Sequence, residues 1–316
     1  HLPTIATMRG ARIAAVCDRD YDKAAALANR FGIGVVVRAD DAVFQNPDID
    51  GVLVCTPSHL HEAQAIAALR AGKHVLVEKP LALTSEGARR VLAVAQETGR
   101  SLMVAMNNRY RQDTLALKPF AHGGELGDVF FAKAGWLNRK VRVNRPTWRH
   151  RRQTAGGGAL MDLGVQVIDL ALWTLGFPDV ERVVAHMHPA EGMDVEDSAG
   201  VLCTLRDGPI LSVEVTWSML DRRDRHYLQL LGTRGSATLS PLSVYKEVEQ
   251  GLLDVSPNIG TGEGNAYTAS YRQLIRHFID TAQGTRALEL PHEQVGVMRL
   301  IEMAYQSAAE GREVHA

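Results

Sequence analysis

The first hundred residues alternate short apolar runs with segments whose apolar positions recur at helical spacing. Ala11-Arg-Ile-Ala-Ala-Val-Cys17 reads as a buried strand. Residues 22–31 follow, with Ala25, Leu27, Ala28 and Phe31 at helical spacing and Gly32 as the stop. Residues 50–56 form the next strand, halted by Pro57, and residues 60–71 a helix that ends at Gly72. His74-Val-Leu-Val77 is a strand, residues 85–98 a helix closed by Gly99, and residues 101–106 a further strand. Such alternation with short links predicts right-handed βαβ units and a parallel sheet. Past Asn107 the texture changes. Residues 127–137, 180–188, 197–205, 209–219, 225–232 and 235–248 read as successive strands, several alternating apolar with polar positions. Helical periodicity returns at 159–175, 266–283 and 292–309. The expected fold is an α/β domain with a parallel sheet over residues 1–108. It is followed, over 109–316, by an α+β domain with a large open mixed or antiparallel sheet.

Composition narrows the function. The 316 residues carry 35 basic and 36 acidic side chains, a formal charge of −1, with 46% apolar and 22% charged residues. That is globular usage, not a disordered chain, and it lacks the basic surface a nucleic-acid partner requires. No apolar run approaches the roughly 20 residues that span a bilayer. Cys17, Cys55 and Cys203 lie in apolar surroundings without CxxC spacing, the pattern of buried thiols in a reducing, cytoplasmic setting. His186, His188, His277 and His292 show no ligand spacing with a carboxylate, so no metal is expected.

Ligands of an open parallel sheet collect beyond the carboxyl ends of its strands. Three features fall there. Asp18 follows the first strand, where an acid can hold the two hydroxyls of an adenosine ribose. Thr56-Pro57-Ser58-His59-Leu60-His61 leads into a helix N-terminus with free N–H groups. Glu78-Lys79-Pro80 ends another strand, with the proline fixing the backbone just past the lysine. Each has a plainer reading as a turn, a helix cap or a surface ion pair; their register on successive strands argues for a site.

With Ala71-Gly-Lys-His-Val-Leu-Val-Glu78-Lys79-Pro80-Leu-Ala82, these segments resemble the Gfo/Idh/MocA family of NAD(P)-dependent sugar and cyclitol oxidoreductases. In the second domain Gly156-Gly157-Gly158-Ala-Leu-Met-Asp162-Leu-Gly164 and Ile168-Asp169-Leu170 carry the same resemblance, which runs nearly the whole length. It implies a Rossmann domain and a second domain whose open sheet commonly makes homodimers or homotetramers. It assigns Lys79 to the nicotinamide and substrate-hydroxyl side, Asp162 to the substrate and Asp18 to the ribose. It also implies a strand and a glycine turn ahead of His1, about 15 to 25 residues that the sequence does not contain.

One position departs from the pattern. Many members carry a histidine acid/base where this chain has Gln166, and a carboxamide exchanges no proton at neutral pH. Lys79 is therefore expected to transfer the proton, with Gln166 orienting substrate. The loop from Asn138 to Arg152 holds Arg139, Lys140, Arg142, Arg145, Arg149, Arg151 and Arg152. It reads either as a solvated loop or, at Trp148 and Arg149, as a cover over cofactor and substrate. Asn107 is expected near the cofactor, and Arg109 and Tyr267 near the substrate. Trp136 and Trp217 read as core or interface residues. Asp18 favours NAD, while Arg19 beside it leaves NADP open. The expected function is hydride exchange with a secondary alcohol of a sugar, sugar acid or cyclitol. The rival is a noncatalytic dinucleotide- or sugar-sensing member of the same fold. An NAD-dependent glycosidase ranks lower, since its Tyr-Pro-Thr-His signature is absent.

Overall fold

Helix caps and strand lengths set the first half of the molecule. The computed structural model describes residues 1–140, 147–189, 192–260 and 265–316. Its opening elements are α1 (Leu2–Ile5), β1 (Ala15–Cys17), α2 (Tyr21–Phe31), β2 (Val35–Val37), α3 (Asp41–Phe44) and β3 (Gly51–Val54). Then come α4 (His61–Arg70), β4 (His74–Val77), α5 (Ser85–Thr98) and β5 (Leu102–Val104). The Thr84 side chain accepts from Gly87 N to start α5, and Gly99, at φ +62°, closes it in the left-handed region that favours glycine. The strands pair in parallel as two ladders, β1–β2 and β3–β4–β5.

The second half begins with α6 (Gln112–His122), which periodicity did not reveal because Pro119 sits inside it. It continues through β6 (Val129–Arg139), α7 (Arg152–Ala155), a wide π-type turn at Leu160–Gly164 and α8 (Val165–Thr174). Strands β7 (Val180–Pro189), β8 (Glu196–Leu205), β9 (Ile210–Met219), β10 (Arg225–Gly232), β11 (Gly235–Leu239), β12 (Ser243–Val248) and β13 (Gly251–Asp254) follow. Helices α9 (Ala266–Ala282) and α10 (Gln294–Glu310) and the short β14 (Val314–His315) complete the chain. The run expected as one strand over 235–248 divides at Ser240-Pro241, where Ser240 adopts φ +70° and the chain turns.

The nine strands form one sheet in the order β13-β12-β11-β10-β6-β9-β8-β7-β14, antiparallel except where β6 lies parallel to β9. One face is apolar and buried, with Ala134, Val201, Cys203, Leu211, Val213 and Leu228 among its members. α8 is buried on nearly all sides, with Gln166 and Asp169 among its polar members, and α10 packs against α5, α8 and β7, joining the two halves. The helical stretch Arg152–Thr174 is long and apolar enough to cross a membrane by composition, but 89% of its window is buried inside the protein. The expectation of three buried thiols holds only for Cys203, whose pKa burial pushes to about 12. Cys17 and Cys55 are exposed because each lies where a strand leaves its ladder.

Candidate active site

A cavity of about 440 Å³ opens past the carboxyl ends of β3 and β4. Its floor comes from two loops that the sequence placed side by side. After β3 the chain runs through Cys55 and Thr56 into a 3-10 turn at Ser58–Leu60 and then α4. After β4 it runs through Glu78, Lys79 and Pro80. His61 ties the loops together. Its ring lies between the Pro80 carbonyl, 2.7 Å from Nδ1, and the Thr56 carbonyl, 2.8 Å from Nε2. The residue is 1% exposed, and burial, the largest influence on it, lowers its pKa. Expected as a cofactor contact, His61 lines the cavity, and its neutral ring, with one N–H, donates to one of the two carbonyls.

The opposite wall is the stretch after the triple glycine. A Cβ on Gly157 would lie 1.8 Å from the Tyr305 hydroxyl, and one on Gly158 1.8 Å from the Glu196 carbonyl oxygen. Only glycine permits that approach. The chain then enters the wide turn that holds Asp162, and Lys79 Nζ donates to both Asp162 O and Asp162 Oδ1 at 2.6 Å. Burial opposes a charge on Asp162, yet Lys79, with help from Arg149 and Trp217, holds its carboxyl below the ordinary carboxylate range. Gln166, one turn on, lines the cavity and donates to Asp162 O at 3.3 Å. Glu78 accepts from its own chain at Lys79 N and meets His1 Nε2 at 2.6 Å.

Trp148 and Arg149 also face the cavity, in a 3-10 turn, with the guanidinium 4.3 Å from the centre of the Trp148 ring. Arg142 and Arg145, part of the same expected cover, lie outside the described residues. Tyr267, at the start of α9, lines the cavity as anticipated. Other expected residues lie elsewhere. Asp18 stands at the end of β1, accepting from Asp20 N at 3.0 Å and pairing with Lys23 at 3.3 Å, and Arg19 beside it is exposed. Pro57 fixes the start of the 3-10 turn without reaching the cavity wall. Asn107 is fully buried and donates to Ser270 at 3.0 Å.

Arg109 points away from the cavity. Its Nε donates to Asp169 Oδ2 at 2.7 Å, its Nη1 to Glu293 Oε1 at 2.7 Å and its Nη2 to Asp169 Oδ1, so three of its five N–H groups are taken by protein. Three aromatic residues had no such expectation. Trp136, which read as core, and Tyr271 form part of the cavity wall, and Trp217 acts on Asp162. No local signal marks them, since an aromatic residue at the end of a strand or on a helix reads as core. Among the described residues no three His, Cys, Asp or Glu side chains gather as metal ligands would.

Comparison with known proteins agrees with this geometry. Residues 1–106 match the model of an oxidoreductase family with an NAD-binding Rossmann fold, and residues 114–238 match the GFO/IDH/MocA C-terminal domain. The chain is 29% identical to a D-glucoside 3-dehydrogenase of Escherichia coli, over 99% of this chain and 93% of that protein. It is 34% identical to an uncharacterized oxidoreductase of Rhizobium meliloti, over 75% of this chain and 69% of that one. Among solved structures, GenD2 from gentamicin A biosynthesis, in complex with NAD, matches at TM-score 0.86 and 28% identity, covering 100% of this chain and 92% of that one. Levoglucosan dehydrogenase, in complex with NADH and levoglucosan, matches at TM-score 0.84 and 26% identity, covering 96% and 89%. This chain belongs to the Gfo/Idh/MocA family of oxidoreductases.

Proposed function

We propose that this protein exchanges a hydride between NAD(P) and a secondary alcohol of a sugar, sugar acid or cyclitol. The observation that carries this reading is the Lys79–Asp162 pair in the wall of a cavity at the carboxyl ends of parallel strands. The named activities of its relatives, on a D-glucoside and on levoglucosan, support a carbohydrate substrate. The residues also suit a dinucleotide. Asp18 follows the parallel strand β1, the Thr56–Ser58 loop leads into a helix, and His1 Nδ1 in the cavity wall is buried without a partner.

When bound, the nicotinamide accepts or returns the hydride. The proton belongs to the chain. Lys79 Nζ spends two positions on Asp162 and keeps a third. In its amine form that nitrogen takes the hydroxyl proton as the carbinol hydride leaves; in the reverse direction the ammonium returns it to the ketone oxygen. Asp162, held ionised at neutral pH, is a fixed counter-charge and not the base. Gln166 orients the substrate oxygen. Trp136, Trp148 and Tyr267 offer aromatic faces to the apolar side of a sugar ring, and Arg149 offers a cation to its oxygens.

Asp18 favours NAD, because its carboxylate repels a 2′-phosphate. Tighter NADPH than NADH binding in a fluorescence titration would reject that preference. A screen of NAD(P) reduction over a panel of pyranosides, sugar acids and inositols tests the main reading. Cofactor binding without turnover of any member would replace it with the sensing role. We also propose that the outer sheet face, where Leu202 is 49% and Ile210 40% exposed, pairs with a second copy of the chain. A monomeric mass in analytical ultracentrifugation would contradict this.

A further inference from the structure

The close neighbours that demand the triple glycine do more than fill space. Glu196, the first residue of β8, is 3% exposed, and both of its carboxylate oxygens are occupied. Gly158 N donates to them at 2.9 and 3.0 Å, Leu160 N at 3.0 Å, and the Tyr305 hydroxyl at 2.8 Å. A buried carboxylate at the N-terminal end of a helical stretch gains both from charged hydrogen bonds and from the orientation of the peptide dipoles. Tyr305 keeps its proton, since burial and then Glu196 raise its pKa well above the ordinary value.

The grip extends to the chemistry. Asp162 N donates to Gly158 O at 2.9 Å, within the same turn whose start Glu196 holds. Two residues before Glu196, Asp194 accepts from Arg152 N at 3.0 Å, so this short segment holds both ends of the stretch from Arg152 to Leu160. A π-type turn is an uncommon arrangement, found mostly as a single turn and often at functional sites. Here it brings Asp162 O and Oδ1 together onto one nitrogen, Lys79 Nζ.

We propose that Glu196, aided by Tyr305, is a positioning residue that sets the Asp162 turn for Lys79. It does not line the cavity, so it acts only through the turn. The inference rests on the reading of Lys79 and Asp162 as the proton-transfer pair. Glu196→Gln is the informative change. Its carbonyl keeps the Oε1 contacts, but its amide group then faces Gly158 N, donor against donor, where Oε2 accepts now.

The test uses the full chain with NAD and levoglucosan or methyl β-D-glucopyranoside. For Glu196→Gln we expect kcat to fall about tenfold or more, with KM for NAD within about twofold, because small displacements of reacting groups act on turnover. Tyr305→Phe, which leaves the charge in place, should lower kcat about threefold. It serves as the test if the first variant does not fold. In the crystal structure of either variant the Lys79 Nζ to Asp162 O contact should lengthen beyond about 3.5 Å. An unchanged kcat with a lowered melting temperature, or a retained contact, overturns the proposal. If the wild type turns over neither probe, the reading of the function is what has failed. The contact length in the variants then still decides for or against Glu196.

Discussion

Two cations from the loops after neighbouring parallel strands cross to two aspartates on one helical stretch. Lys79 after β4 reaches Asp162, and Arg109 after β5 reaches Asp169. The pairs share a topology and differ in how many protein partners hold the cation. The Arg109 guanidinium donates to Asp169 and Glu293 and lies over the Phe177 ring, and Gln294 donates to Asp169 at 2.8 Å. Although burial works against it, Asp169 and Glu293 raise the Arg109 pKa, and a guanidinium does not give up its proton in any case. Lys79 has one partner residue, keeps a position open and borders the cavity. The Arg109 pair is tied to protein through three donors and two carboxylates, whereas the Lys79 pair keeps a position facing the cavity.

Removing the cation of the Arg109 pair breaks the comparison most forcefully. Arg109→Ala leaves the buried Asp169 and the half-buried Glu293 without their cation and should cost about 3–5 kcal/mol in urea unfolding. Arg109→Lys, which cannot donate in the same fork, should fall between the two. A loss below about 1 kcal/mol for Arg109→Ala would mean that the pair is dispensable to the fold.

Acid separates the open pair from its surroundings. His226 packs edge-on against Trp136 in the cavity wall, and burial, then Arg111, lowers its pKa to about 4. Below the ordinary histidine value the unfolded chain takes a proton that the folded one refuses until about pH 4. Stability should therefore fall as pH drops from about 6.5 to 4, by roughly 3 kcal/mol, and His226→Phe should flatten that slope. The contribution of Asp162, whose folded pKa is depressed, is present above the ordinary carboxylate value. It is lost only as pH falls below that value toward the folded pKa. An unfolding transition unchanged across this window would contradict the burial of His226.

The smallest expected effect concerns Gln166. If Lys79 suffices for proton transfer, Gln166→His should change kcat by less than about fivefold at neutral pH. A larger gain would move the proton from Lys79 to that position.

These contrasts also show what a linear sequence makes legible. α5 and its caps, Thr84 and Gly99, could be read at once because capping is local. The resemblance brought Lys79, Asp162 and Gln166 to one place because their motifs are contiguous. Arg109 defeated the same reasoning. Its partners lie 60 and 184 residues away, and nothing nearby shows that its donors are taken. His61 shows the same limit, since its carbonyl partners belong to the backbone and no sequence signal gives them away. Trp136 read as core and Tyr271 drew no reading because an aromatic side chain buried in a core and one facing a cavity share the same pattern. The turn at Ser240-Pro241 lies inside a run of strand-forming residues, and α6 holds Pro119 within it, so neither boundary stands out from periodicity alone.

The central claim is that Lys79, and not Gln166 or any histidine, moves the proton. Lys79→Met keeps the length and apolar stem of the side chain and removes the exchanging nitrogen. With the substrate found by the panel, single-turnover hydride transfer monitored at the NADH absorbance should slow by about 10²–10⁴-fold, while NADH fluorescence titrates with an affinity within about threefold of wild type. Transfer within about threefold of the wild-type rate would contradict the account and place the proton elsewhere.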